Sequence, residues 1–115
     1  MSHQFTSLLA LPATLTGTVA ANRFVTKAYA QAGADGNTLG VARSGGGSGD
    51  KVTVDVLGTA IVEAGAAVSA GDTIKADSSG RAITWASSGA KVGLALQAAS
   101  GAGVFIEVLL IPNVA

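Results

Sequence analysis

Polar and apolar residues alternate with period two along 51–56, which places Val52, Val54 and Val56 on one face and Lys51, Thr53 and Asp55 on the other. That pattern predicts a half-buried strand. Residues 104–111 predict a second strand, with Val104, Ile106, Val108 and Leu110 on one side and Phe105, Glu107, Leu109 and Ile111 on the other. Both faces of this run are apolar apart from Glu107, so the expectation is a strand covered on both sides. Shorter apolar runs at 23–28, 59–62, 73–76, 82–85 and 91–97 are further strand candidates.

Glycine- and serine-rich clusters separate these runs, at 33–37, 44–50, 77–80 and 87–89. The cluster Asp77-Ser78-Ser79-Gly80 between two short strands reads as a hairpin tip. No window keeps a helical apolar period free of glycine. The Ala-rich stretch 63–71 is bracketed by Gly65 and Gly71, each costing about 1 kcal/mol against Ala in a helix interior. It predicts a turn-rich connection with at most one helical turn. Short strands joined by turns of this kind predict an all-β chain, a small sandwich or barrel of β-tulip-like form.

The order of these runs repeats weakly. Phe24-Val25-Thr26-Lys27, Leu39-Gly40-Val41-Ala42, a Gly-rich loop and Val52–Leu57 are echoed by Asp72-Thr73-Ile74-Lys75, Val92-Gly93-Leu94-Ala95, Ser100–Gly103 and Val104–Leu109. In this alignment Asp55 and Glu107 take matching places. Two such units packed together would give a pseudo-symmetric fold; a chance likeness between Val- and Gly-rich strands is the competing account.

Composition narrows the function. The 115 residues suffice for one domain, and 49% of them are apolar, but many are Ala, with three Phe, one Trp and one Tyr. Apolar burial contributes about 25 cal/mol per Å², so an Ala-rich core is thin and gains from a partner. Seven basic and seven acidic residues leave no net charge, and the cations stand singly rather than in a stripe, which argues against nucleic acid. There is no Cys, so no disulfide, thiol chemistry or Cys-based zinc site arises. No apolar run approaches the ~20 residues of a membrane-spanning helix. The run 7–21 has no cation before it and contains Pro12, so no secretory leader is expected.

Catalytic chemistry finds little footing. The single His, His3, lies at the N-terminus, and no Ser sits in a strand–elbow–helix setting with a base. Asp35, Asp50 and Asp77 fall in turns, where Asp serves local backbone N–H groups. Asp55 and Glu107 are read as solvated or paired across the sheet rather than as a catalytic pair. The Gly-rich loop 44–49 lacks the Gly-Lys-Ser/Thr ending of a phosphate loop. The expectation is a protein that is not an enzyme and has no cofactor and no metal.

The phrase Ala70-Gly71-Asp72-Thr73-Ile74-Lys75-Ala76-Asp77-Ser78-Ser79-Gly80-Arg81-Ala82, then Lys91-Val92-Gly93-Leu94-Ala95-Leu96-Gln97, then Gly103–Leu110, resembles the capsid cement, or decoration, family of tailed phages. The Val-Gly-Leu-Ala stretch after a polar hairpin is also similar to the head-decoration proteins of lambda-like phages. The resemblance spans roughly residues 16–111. It implies a β-rich virion protein on the outer capsid surface, assembled in the host cytoplasm, that binds the major capsid protein and braces neighbouring coat subunits. It also implies self-association, with a homotrimer favoured over a dimer, no nucleic acid and no membrane. The other readings are a carbohydrate-binding or head-fibre base module using Trp85 and Tyr29, and a carrier-like domain.

Residues 1–21 keep neither period, and Pro12 removes a backbone donor. They read as an extended N-terminal segment preceding a β domain of 22–115. Phe5, Leu8, Leu9, Leu11 and Leu15 of this segment, with Trp85, are the expected contacts to the capsid or to other subunits.

Overall fold

The computed structural model describes residues 5–111, which form eight strands and no helix. They are β1 (Ser7–Thr14), β2 (Phe24–Val25), β3 (Gly40–Ala42), β4 (Lys51–Glu63), β5 (Thr73–Ala76), β6 (Ala82–Thr84), β7 (Gly93–Ala95) and β8 (Phe105–Leu110). All ladders are antiparallel, in the order β2-β3-β4-β8-β7-β5-β6, with β1 on β4. A parallel bridge from Ala64 to Ala82 brings the end of β4 beside β6 and nearly closes the sheet into a barrel. The all-β expectation holds.

The runs 51–56 and 59–62, expected as separate strands, are one strand. Gly58 sits between them at φ +97, and β1 shifts register opposite it, so the chain bends without leaving the sheet. A Cβ at Gly58 would lie 2.3 Å from the Thr6 carbonyl oxygen. The expected strand 23–28 shrinks to Phe24–Val25 because the chain reverses at once: the Thr26 N–H donates to Ala30 O and the Tyr29 N–H to Thr26 O. The Asp77–Gly80 hairpin tip forms as read, with Ala76 opposite Ala82. Strand β8 departs from expectation, since Phe105 and Leu109 on its outer face are exposed.

The repeat is real and longer than the sequence suggests. Val25 pairs with Gly40 and Ile74 with Gly93; Ala42 pairs with Val54 and Ala95 with Val108. The same correspondence runs through the loops: Val19 and Gly46 exchange two hydrogen bonds, and so do Val68 and Ala99. Asn22 and Gly71, both at positive φ, donate their N–H to Ala42 O and Ala95 O, each at 2.8 Å. It extends to the first strand, because Ala13 faces Val52 as Val62 faces Ile106. The chain is therefore two units, residues 10–57 and 59–111. Strand β4 closes the first unit with its first half and opens the second with its second half. Gly40 and Gly93 are needed alike, since a Cβ on either would come within 3 Å of the carbonyl oxygen of Asp55 or Leu109. That match pairs Asp55 with Leu109 and not with Glu107, a correction of two residues, because the turns preceding the last strands differ in length.

Each unit has a core. In the first, Ala13, Leu15, Val19, Val25, Ala42, Val52 and Val54 cluster, with Leu39 and Val56 partly buried against them. Their counterparts Val62, Ala64, Val68, Ile74, Ala95, Ile106, Val108, Val92 and Leu110 all lie in the larger second core. That core also takes in Phe24, Ala32 and Val41, which come from the opposite face of the first unit.

Candidate functional site

Every acidic side chain of the chain has a hydrogen-bond or ion-pair partner. Asp50 accepts from the Gly47 N–H, Asp72 from the Ser69 N–H and Thr84 Oγ1, and Asp77 from the Ser79 and Arg81 N–H groups. Asp35 pairs with Lys75 at 2.8 Å, and Glu63 with Arg23 at 3.1 Å and Arg81 at 3.6 Å. Glu107 accepts from Thr59 Oγ1 at 2.7 Å. Asp55 is buried on β4 and forms a two-pronged ion pair with Arg43, the residue after β3. The bond to Asp55 raises the pKa of the Arg43 guanidinium and keeps it charged. Asp55 and Glu107 thus serve separate structural partners. Among the described residues no group of His, Cys, Asp or Glu is arranged to hold a metal ion. His3 lies outside the described residues.

What the molecule offers is apolar surface. Strand β1 hydrogen-bonds along β4, yet residues 8–12 are all exposed, Leu8 at 69%. Pro12 is tolerated there because β1 is an edge strand. The register shifts around Leu8 and Leu9 explain why this segment carries no clean period: the bulges turn successive Leu side chains to both faces. Of the six expected contact residues, Phe5, Leu8, Leu9 and Leu11 lie together on this strand and its lead-in, and all are exposed. Leu15 does not join them. It is 2% exposed, in the first core, with its N–H donated to Asp50 O.

Trp85 lies apart, at the end of β6, half-buried. Its indole N–H donates to Gly89 O at 2.9 Å, and the Lys91 ammonium sits 4.4 Å over its ring. A cation on that face occupies the place where a sugar would stack.

Sequence reading missed two features. One is the outer apolar face, where Leu9 opposes Leu57, and Leu109 lies between Thr59 and Leu94. The other is a groove of about 330 Å³ where the units meet, lined by Phe5, Asn22, Val41, Arg43, Asp55, Ile61 and Phe105. Arg43 stacks over Phe5 there at 5.4 Å. The doubly apolar run at 104–111 was the signal for the first. Nothing local in the sequence marks the second, because its walls come from five separate parts of the chain.

Comparison with known proteins places the fold and the family. In fold the chain is similar to the gp8.5 N base of the head fibre of bacteriophage phi29, with a TM-score of 0.72 and 19% identity, covering 93% of this chain and 98% of that one. No curated protein sequence matches. The sequence model described as phage cement protein matches residues 4–110, nearly the whole described fold, and the chain belongs to that family.

Proposed function

We propose that the protein attaches to the outer surface of a phage head and braces neighbouring coat subunits. Membership of the cement family makes it a structural virion protein. The exposed apolar strand β1 is the observation that supports the finer reading. Scattered exposed Leu is ordinary, but a contiguous apolar strand and adjoining sheet face mark an interaction surface. An edge strand also offers unpaired backbone groups, onto which a partner strand adds through main-chain hydrogen bonds. In this reading Phe5, Leu8 and Leu9 meet the major capsid protein, and the protein works as a homotrimer, since closed symmetric oligomers are the usual outcome for soluble assemblies.

The test is attachment of the purified protein to heads stripped of their accessory proteins. Binding that raises the temperature at which heads release their contents supports bracing. Binding without that rise leaves an attachment module, such as a head-fibre base, for which the likeness in fold to the phi29 fibre base speaks. No binding overturns the reading. The variant Leu8→Ser with Leu9→Ser should lose at least tenfold in head affinity while leaving the folded protein unchanged by circular dichroism.

A further inference from the structure

The two units are built alike but covered unequally, and each uncovered surface has a covered counterpart inside the same chain. In the second unit the core is capped by Phe24, Ala32 and Val41 of the first, all at most 1% exposed. Backbone bonds fix this cap. The Glu63 N–H donates to Asn22 O at 3.0 Å and the Phe24 N–H to Gly80 O at 2.8 Å. Ala60 on β4 is fully buried in the core they close. The counterpart of Ala60 in the first unit is Leu11, since Leu11 faces Val54 as Ala60 faces Val108. Leu11 is 38% exposed, with no cap over it among the described residues. The counterparts of the capping residues are Thr73 for Phe24, Leu94 for Val41 and Trp85 for Ala32, because Thr73 pairs with Leu94 as Phe24 does with Val41, and the Trp85 N–H donates to Thr73 O as the Ala32 N–H does to Phe24 O. All three are only partly buried.

We infer that the protein associates head to tail with a second copy, the Thr73–Trp85–Leu94 face of one copy capping the Leu11 side of the first core in the next. The contact repeats between chains the one that joins the two units within a chain. It names the self-contact of the assembly proposed above and rests on that reading only for the existence of an oligomer. The backbone that delivers the cap is already in place. Asn22 presents its carbonyl to the Glu63 N–H, and its counterpart Gly71, held by the same bond to β7, presents its own toward the Thr14 position of a neighbour. Side-chain sizes exchange in the sense packing needs: a large Phe24 with a small Ala60 within the chain, a small Thr73 with a large Leu11 between chains. Such a contact is heterologous, and it gives a ring when the rotation per copy closes.

A heterologous contact has a signature that a two-fold contact lacks. Leu11→Asp damages one surface and leaves the other intact; Leu94→Asp does the reverse. Both side chains are partly exposed, so both variants should keep the wild-type circular dichroism spectrum. By light scattering at matched concentration, the wild type should be oligomeric and each variant alone monomeric. An equimolar mixture should form a one-to-one dimer through the two undamaged surfaces. If Leu94→Asp fails to fold, Thr73→Arg blocks the same face. A monomeric wild type overturns the proposal, whether or not it binds heads. So does retention of wild-type mass by both variants, and so do variants that fall apart but do not combine on mixing. Failure to bind heads with the mixing result intact would overturn the cement reading alone.

Discussion

The first unit and the second share one backbone plan and differ in how well it is closed. Nine core positions correspond one to one, yet the second core adds a cap of Phe24, Ala32 and Val41 and a lining of small residues, Ala60, Ala76, Ala82 and Ala99. Among the described residues the first core has no such cap, and it lies under an edge strand exposed along 8–12. The same fold can therefore serve as a stable body in one half and as a binding surface in the other. Burial by a neighbouring unit, not strand pairing, makes the difference, since Leu9–Thr14 ladders along β4 as Thr59–Glu63 does along β8.

The comparison breaks most severely at Phe24. It belongs to the first unit and is fully buried in the second core. Phe24→Ala should cost about 3–5 kcal/mol, the usual range for a buried Phe, read as a lower urea midpoint. A loss below about 1.5 kcal/mol would mean that the second core does not depend on the first unit. A sharper probe is the matched pair Val54 and Val108, the same residue at corresponding, fully buried positions. Val108→Ala should cost about 2–3 kcal/mol and Val54→Ala about 1 kcal/mol less, because an open core collapses around a cavity more readily. Equal losses would remove the claimed difference in closure.

The junction itself comes next. Gly58→Ala forces an L-residue into φ +97 and places its Cβ against Thr6 O, for an expected loss of about 1–3 kcal/mol. Hydrogen exchange should rise first in β1. The smallest effect is the most diagnostic of kinship between the units. Arg43 and Asp55 stand where the second unit has Leu96 and Leu109, since the Arg43 N–H donates to Thr53 O as the Leu96 N–H does to Glu107 O. Arg43→Leu should cost about 1–2 kcal/mol by stranding a buried carboxylate. The figure is set below that for a fully buried pair because the Arg43 side chain is 44% exposed. Adding Asp55→Leu should restore stability to near wild type, as the second unit already carries that pair. Failure of the double variant to recover would show that the ion pair has a role the leucines cannot fill.

Much of this was legible in the order of residues. Period-two alternation along 51–56 and the turn chemistry of Asp77–Gly80 determine strands and a hairpin without help from the rest of the chain, because both are local consequences of side-chain direction and backbone preference. Gly40 and Gly93 in like phrases marked the repeat, since each allows two backbones to approach where a Cβ would collide. The family likeness rested on the same phrases, so it was readable for the same reason. The tertiary structure alone decided the rest. It joined 51–56 to 59–62 across Gly58, paired Asp55 with Arg43 and made Leu109 its counterpart in the second unit, and sent Leu15 inward while leaving Leu8, Leu9 and Leu11 outside. Leucines are chemically alike along the chain. Which of them is core and which is surface depends on whether another unit lies over it, and that is a property of packing between segments far apart in sequence.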